Sequence, residues 1–306
     1  MKKIISSLFV LLIAVSAFAQ YGINIQKPVT GGGTTSSPQL SAVSLDGTKV
    51  YAYNFINYYY SSLDLPGYNN LTSVNYSESY VGGVDFDNEG NMYAITANGG
   101  NLWIEDFETG SITNLGTVAG IPTNYLVGLA FDNQTGKLYY MQCDWGSAGN
   151  LYSIDISTMT ATLIGSLAGM PNCEGIAFNA SDRMLYGFNF QSAQTQLYKI
   201  NPSTAATTLV GTTTSFLNYT NGWFGDCDFN DLNGELIYST FDDNTTVSTI
   251  WSIDVSNFTP TLEATVSNAQ LVLAVNTNGK PVHVKWYYFI LVFLIPVGII
   301  IRRRFI

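Results

Sequence analysis

The feature that most limits what this chain can fold into is a unit written four times between residues 82 and 239. "GGVDFDNEGNMYAIT" (from Gly82), "VGLAFDNQTGKLYYM" (from Val127), "EGIAFNASDRMLYGF" (from Glu174) and "GDCDFNDLNGELIYS" (from Gly225) share one layout: a mostly apolar run, Phe, Asp or Asn, a turn, and a second apolar run. Each is followed by a second pair of runs: "NLWIEDFETGSITNLGTV", "NLYSIDISTMTATLIGSL", "QLYKINPSTAATTLVGTT" and "TIWSIDVSNFTPTLEATV". A diverged first copy begins at Ser41 with "SAVSLDGTKVYAYNF" and "YSSLDLPGYNNLTSV", and "LVLAVNTNGKPVHV" (from Leu271) begins a last one and stops.

The period is about 45 to 50 residues and holds four short runs rich in Tyr, Phe, Val and Thr, bounded by Asn, Asp and Gly, with no helical periodicity. A four-stranded sheet with two apolar faces is incomplete alone and must stack on its neighbours around an axis. The fold expected is all-β, a β-propeller. Its strands run a to d from the inside, and in the third copy they read "GLAFD", "KLYYM", "NLYSID" and "ATLIGS". Copies from about residue 41 to 270 make five blades, and the strand at Leu271 opens another. Six blades are therefore expected, with Tyr21–Val29 ("YGINIQKPV") latching the last; five blades with 271–285 as a stalk is the alternative.

The order G-x-A-F-D, L-Y, L-Y-x-I-D-x-x-T, T-x-I-G resembles the YWTD and NHL-type six-bladed propellers and related secreted bacterial repeat proteins, over residues 41 to 276. The second strand reads "MYAIT", "LYYMQ", "LYGFN" and "IYSTF" in place of Tyr-Trp-Thr-Asp, so the resemblance implies blade architecture and carries over no ligand residue.

Both ends of the chain read as targeting segments. Residues 1–19 run from Lys2 and Lys3 through an apolar stretch to Ala17-Phe18-Ala19, the layout of a signal peptide. Residues 20–40 give a strand and a Gly/Ser/Thr linker, 41–282 the propeller, and 283–306 a membrane anchor with a basic cytoplasmic end. Within the anchor, Trp286–Ile301 is uncharged and Arg302, Arg303 and Arg304 follow it. As a helix this stretch would be roughly 24 Å long, short for a bilayer core but flanked correctly. An apolar tail ending in arginines also resembles bacterial sorting signals, although "GKPVHVKW" fits no such recognition motif. The expectation is an exported protein anchored in a membrane with its propeller outside the cytoplasm.

Between the tails stand 22 acidic and six basic residues, a net charge of −16. That argues against nucleic acid as a partner, since phosphate binding needs clustered Lys and Arg. The Asp of each hairpin (Asp87 and Asp132, Asn179 and Asn230 elsewhere) reads as a turn residue whose side chain accepts backbone N–H groups. The same holds for Asp155, Asp254 and Asn201.

Function is sought where the copies differ, in the b–c and d–a loops that open on one face. These loops carry Tyr58, Tyr59, Tyr60, Tyr80, Tyr125, Trp145, Tyr219 and Trp223. Exposed rings beside Asn and Asp suit an extracellular glycan or protein partner, because they offer apolar area with a polar edge. Asp85, Glu174, Asp226 and Asp228 gather near the channel mouth on the inner strands and are the candidates for Ca²⁺, the one cofactor the residues suggest. The sole histidine, His283, lies outside the repeats, which excludes a Ser-His-Asp arrangement or a histidine-bound zinc within them. Arg183 is the only arginine between the tails, so an arginine triad is excluded as well. Two alternatives to a binding module remain: a hydrolase or lyase working through those carboxylates, and a purely structural envelope protein. Of the three cysteines, Cys143 and Cys173 fall on the same face and are expected to form a disulfide. Cys227 aligns with Val84, Leu129 and Ile176 and is expected to be a buried thiol.

Overall fold

The computed structural model describes residues 49–276, apart from 55–58, 65–68, 77–80, 98, 107–110, 123–125, 144–145, 192–193, 217–224, 232, 243 and 268–269. Three strands come first: β1 (Lys49–Asn54), β2 (Tyr59–Asp64) and β3 (Asn69–Tyr76). Four meanders follow. The first comprises β4 (Val81–Phe86), β5 (Met92–Thr96), β6 (Asn101–Asp106) and β7 (Ser111–Thr117). The next comprises β8 (Leu126–Asp132), β9 (Lys137–Cys143), β10 (Gly149–Asp155) and β11 (Thr160–Leu167). Then come β12 (Cys173–Asn179), β13 (Met184–Gln191), β14 (Gln194–Ile200) and β15 (Thr207–Thr213). The last comprises β16 (Asp226–Asn230), β17 (Glu235–Asp242), β18 (Val247–Asp254) and β19 (Thr259–Ser267), and the described strands end with β20 (Leu271–Asn276).

Each meander is one antiparallel sheet in sequence order, and the fifth sheet runs β20-β1-β2-β3. β20 pairs with β1 from Lys49↔Asn276 to Asn54↔Leu271. The strand expected to open a sixth blade is thus the inner strand of the first, and the propeller has five blades. The count of six fails because, among the described residues, the first copy supplies strands b, c and d to its blade and β20 supplies strand a; "KVYAYN" is strand b. The stalk alternative fails at the same point, since Leu271–Asn276 lies within a sheet. The expected latch, residues 21–29, lies outside the described residues, and blade 1 is four-stranded without it.

The inner strands β20, β4, β8, β12 and β16 touch in that order and close the ring. Burial falls from axis to rim: all seven residues of β12 are buried, whereas β19 is mostly exposed. An inner strand meets a neighbouring blade on each face, so even its polar residues are buried, while an outer strand needs little cover. Close packing at the axis depends on small residues. A Cβ on Gly83 would stand 2.7 Å from the backbone N of Leu129, and one on Gly128 2.8 Å from that of Ile176.

The repeated Phe and Tyr are the contacts between blades. Each inner-strand Phe meets the strand-b Tyr of the preceding blade: Tyr51–Phe86 at 5.1 Å, Tyr93–Phe131 at 5.5 Å, Tyr139–Phe178 at 6.0 Å and Tyr186–Phe229 at 5.4 Å between ring centroids. Pairs of this kind contribute about 0.5–1.5 kcal/mol each beyond area burial.

Candidate functional site

The a–b and c–d turns lie at one end of the strands and the b–c and d–a connections at the other. Among the described residues of the turn end, one device recurs. Asp87 Oδ1 accepts the N–H of Glu89 at 2.8 Å, Asp132 Oδ1 that of Gln134 at 3.0 Å, and Asn179 Oδ1 that of Ser181 at 2.9 Å. Asp155, Asn201 and Asp254 each accept the N–H two residues on at 2.9 Å. These side chains do what the sequence expected of them. Asp132 does more, because Arg183 of the next blade grips it with both guanidinium nitrogens, one of them 2.7 Å from Oδ1. Burial alone would raise the Asp132 pKa, but Arg183, Thr135 and the turn amides outweigh it and hold the carboxyl below its usual range.

The other end carries the variable connections. Tyr58, Tyr80, Tyr125, Trp145, Tyr219 and Trp223 fall in connections outside the described residues. Tyr59 and Tyr60 open β2, where their backbones pair opposite Tyr76 and Asn75; their side chains also lie outside what is described.

The channel acids are fully described, and they correct one expectation. Asp85 and Asp228 do not stand at the loop end. They line the opposite mouth, with Asn133, Asp231 and Val275, around a cavity of about 10 Å³, room for roughly one water. Their oxygens are engaged by backbone. Asp85 accepts the N–H of Phe86 at 2.6 Å and, across the blade boundary, that of Phe131 at 2.5 Å. Asp228 does the same with Phe229 at 2.8 Å and Val275 at 2.6 Å. Two residues nearer the loop end, Asp226 accepts the N–H of Leu273 at 3.1 Å. Each carboxylate is therefore a clip between adjacent inner strands. Sequence reasoning missed this role; the signal was there, since Asp85 and Asp228 hold one position of the repeat where other copies have Ala130, Ala177 and Ala274.

Burial raises the pKa of all these groups. It lifts Asp85 to about 8 and puts Asp226 and Asp228 well above the ordinary range, with Asp85 and Asp228 also close enough for the charge of one to raise the other. Glu174, at the loop end of β12, is lifted to about 8 by burial. Its Oε2 accepts the Tyr238 hydroxyl at 3.2 Å, while Glu174 Oε1 and Asp226 Oδ1 are buried without a hydrogen-bond partner. Among the described residues no group of three or more His, Cys, Asp or Glu is arranged to hold a metal ion.

All three cysteines are buried thiols. Cys143 ends β9 and Cys173 begins β12, and the Cys173 N–H donates to Cys143 Sγ at 3.0 Å. Cys227 packs in a different cluster, with Phe229 and Tyr238. No helix among the described residues is long and apolar enough to cross a membrane; residues 1–19 and 286–301 lie outside them.

Fold and repeat together define a five-bladed β-propeller with a backbone-clipped acidic channel. More narrowly, the chain belongs to the family described as "Repeat of unknown function (DUF6923)", which matches residues 65–271. No curated protein matches the sequence. Among solved structures, a chain of a nidogen/laminin complex aligns at a TM-score of 0.52 and 10% identity, covering 75% of this chain and 98% of that one. TolB from Acinetobacter baumannii aligns at 0.45 and 11% identity, covering 76% and 67%. These likenesses concern the fold alone.

Proposed function

We propose that this propeller is an exported, membrane-anchored binding module whose b–c and d–a loop face takes an extracellular glycan or protein. The observation that carries this reading is the asymmetry between the two ends. One end repeats the same side chain-to-backbone turn at six described positions, and the sequence of the other varies in length and composition and concentrates Tyr and Trp. Recognition needs a surface that differs from blade to blade, and only the loop end offers one. The test is binding of the full chain in detergent to a glycan array and to envelope-protein extracts, followed by Tyr219→Ala and Trp223→Ala. Each substitution is expected to weaken a saturable interaction by roughly tenfold or more, while Asp155→Asn on the turn end leaves it unchanged. An interaction weakened by Asp155→Asn and indifferent to both aromatic changes overturns the assignment of the face.

A carboxylate-dependent hydrolase is the second reading, favoured by one residue. Glu174 is a buried acid with one unpartnered oxygen and a pKa lifted to about 8, the profile of a general acid that keeps its proton at neutral pH. Polysaccharide turnover abolished by Glu174→Gln supports it; binding without turnover, retained in Glu174→Gln, supports the module.

A further inference from the structure

We infer that Cys143 and Cys173 are a disulfide site that staples blade 3 to blade 4 beside the loop face, leaving Cys227 as the one thiol of the mature chain. Three observations converge on the pair. First, the two cysteines meet across a blade boundary: Cys143 Sγ accepts the Cys173 N–H at 3.0 Å, its own S–H reaches Pro171 O at 3.5 Å, and Cys173 S–H reaches Met170 O at 3.4 Å. Second, the surroundings are shaped to the sulfur. Cys173 Sγ lies against Gly149, where any side chain would collide with it, and both cysteines share one buried cluster with Met141, Leu151, Leu167 and Met170. Third, the remaining cysteine cannot compete, because Cys227 belongs to the cluster shared by blades 4 and 5 and stands on β16 beside Asp226 and Asp228.

The chemistry fixes when the bond forms. Cys143 and Cys173 are 1% and 0% exposed, and the hydrogen bond between them, followed by burial, pushes the Cys173 thiol far above its ordinary pKa. The closed fold therefore holds them as unreactive thiols, and oxidation belongs to folding, before blades 3 and 4 seal. The oxidant required is a dithiol carrier in its disulfide form, protein or small molecule. One cysteine, as thiolate, attacks the carrier disulfide and expels one carrier thiol. The second cysteine then attacks the mixed disulfide and expels the other. The two thiol protons pass to the expelled carrier sulfurs, so the carrier leaves as a dithiol that holds the two electrons. The bond spans 30 residues of sequence and ties the end of strand b to the start of the next strand a, so it fixes the b–c loop of blade 3 against the d–a connection that leads to Glu174.

The experiment uses the full chain exported by its own leader, denatured in the presence of a maleimide and mapped without reduction. The result expected is a Cys143–Cys173 cross-linked peptide with Cys227 as the only labelled cysteine. Three labelled thiols, or a cross-link that includes Cys227, overturns the inference. A second measurement does not depend on export: the reduced full chain is refolded in detergent with an oxidised/reduced glutathione couple and mapped in the same way. Reductant should then lower the thermal midpoint of the wild-type chain by roughly 5–10 °C, and it should leave that of the Cys143→Ser/Cys173→Ser double variant unchanged. Equal sensitivity in the two chains counts against the bond. Neither readout involves a ligand, so failure here and failure of the binding assignment are separate results.

Discussion

At the scale of single residues, Arg183 shows how one position can be strained and stabilising together. It closes an a–b turn at φ +61°, where the equivalent residues of other blades are Gly90, Gly136 and Gly234, all at positive φ. A non-glycine residue there costs about 1 kcal/mol of backbone strain. Arg183 offsets this with its two-pronged bond to Asp132 and with its guanidinium lying 4.7 Å above the Phe178 ring. Arg183→Ala keeps the strain and loses both contacts, so it should lower unfolding free energy by about 2 kcal/mol. Arg183→Gly loses the contacts but removes the strain, and should recover about half of that. Urea unfolding of the two variants checks the order; a glycine variant less stable than the alanine one refutes this account. Asp132 as a turn residue was legible from its equivalents, since its partners lie within three residues. Its pairing with Arg183 was not, because that contact spans 51 residues and two blades, and local sequence is silent on which turn faces which.

At the scale of strands, the same divide between local and distant contacts explains what the repeat told and what it withheld. Strand composition, the a-to-d order within a copy and the hairpin turns are all settled by neighbours in sequence, and the sheets match them. The number of blades is settled by the pairing of Lys49–Asn54 with Leu271–Asn276, which no within-copy pattern encodes. That Asp85 and Asp228 stand where other copies have Ala was legible, but what they and Asp226 clip was hidden for the same reason, as the N–H donors belong to the next inner strand. The closing strand carries much of this. Its residues Leu271, Leu273 and Val275 are buried, and Leu273 and Val275 donate the N–H groups that occupy Asp226 and Asp228. Truncation after Gln270 opens blade 1 and leaves two buried carboxylates short of a donor. The expected outcome is loss of a single cooperative unfolding transition by calorimetry. A truncated chain that melts sharply at the wild-type temperature would show that β20 is dispensable.

At the scale of the whole molecule, four acids buried in or beside one channel make stability depend on pH in an unusual direction. Asp85 and Glu174 titrate from about 3.8 and 4.5 when unfolded to about 8 when folded. Between those values the folded protein holds more protons than the unfolded chain, so raising the pH draws protons from the native state and costs stability, up to about 1.4 kcal/mol per pH unit for each group. The contribution is complete below pH 4 and gone above pH 8. Asp132, with its lowered pKa, acts in the opposite sense but only at more acidic pH. The thermal midpoint is therefore expected to fall from pH 5 to pH 8, and Glu174→Gln should make that fall shallower. An unchanged slope in the variant removes Glu174 from the explanation. The pairing of β1 with β20 also bears on how such a chain is made and moved. The two partners lie more than 200 residues apart, so a polypeptide threading amino-terminus first through a narrow conduit has blade 1 open along its inner edge until almost the last described strand has emerged. Closure of the ring is thus timed by the arrival of β20, and until then the first blade waits with one edge unpaired.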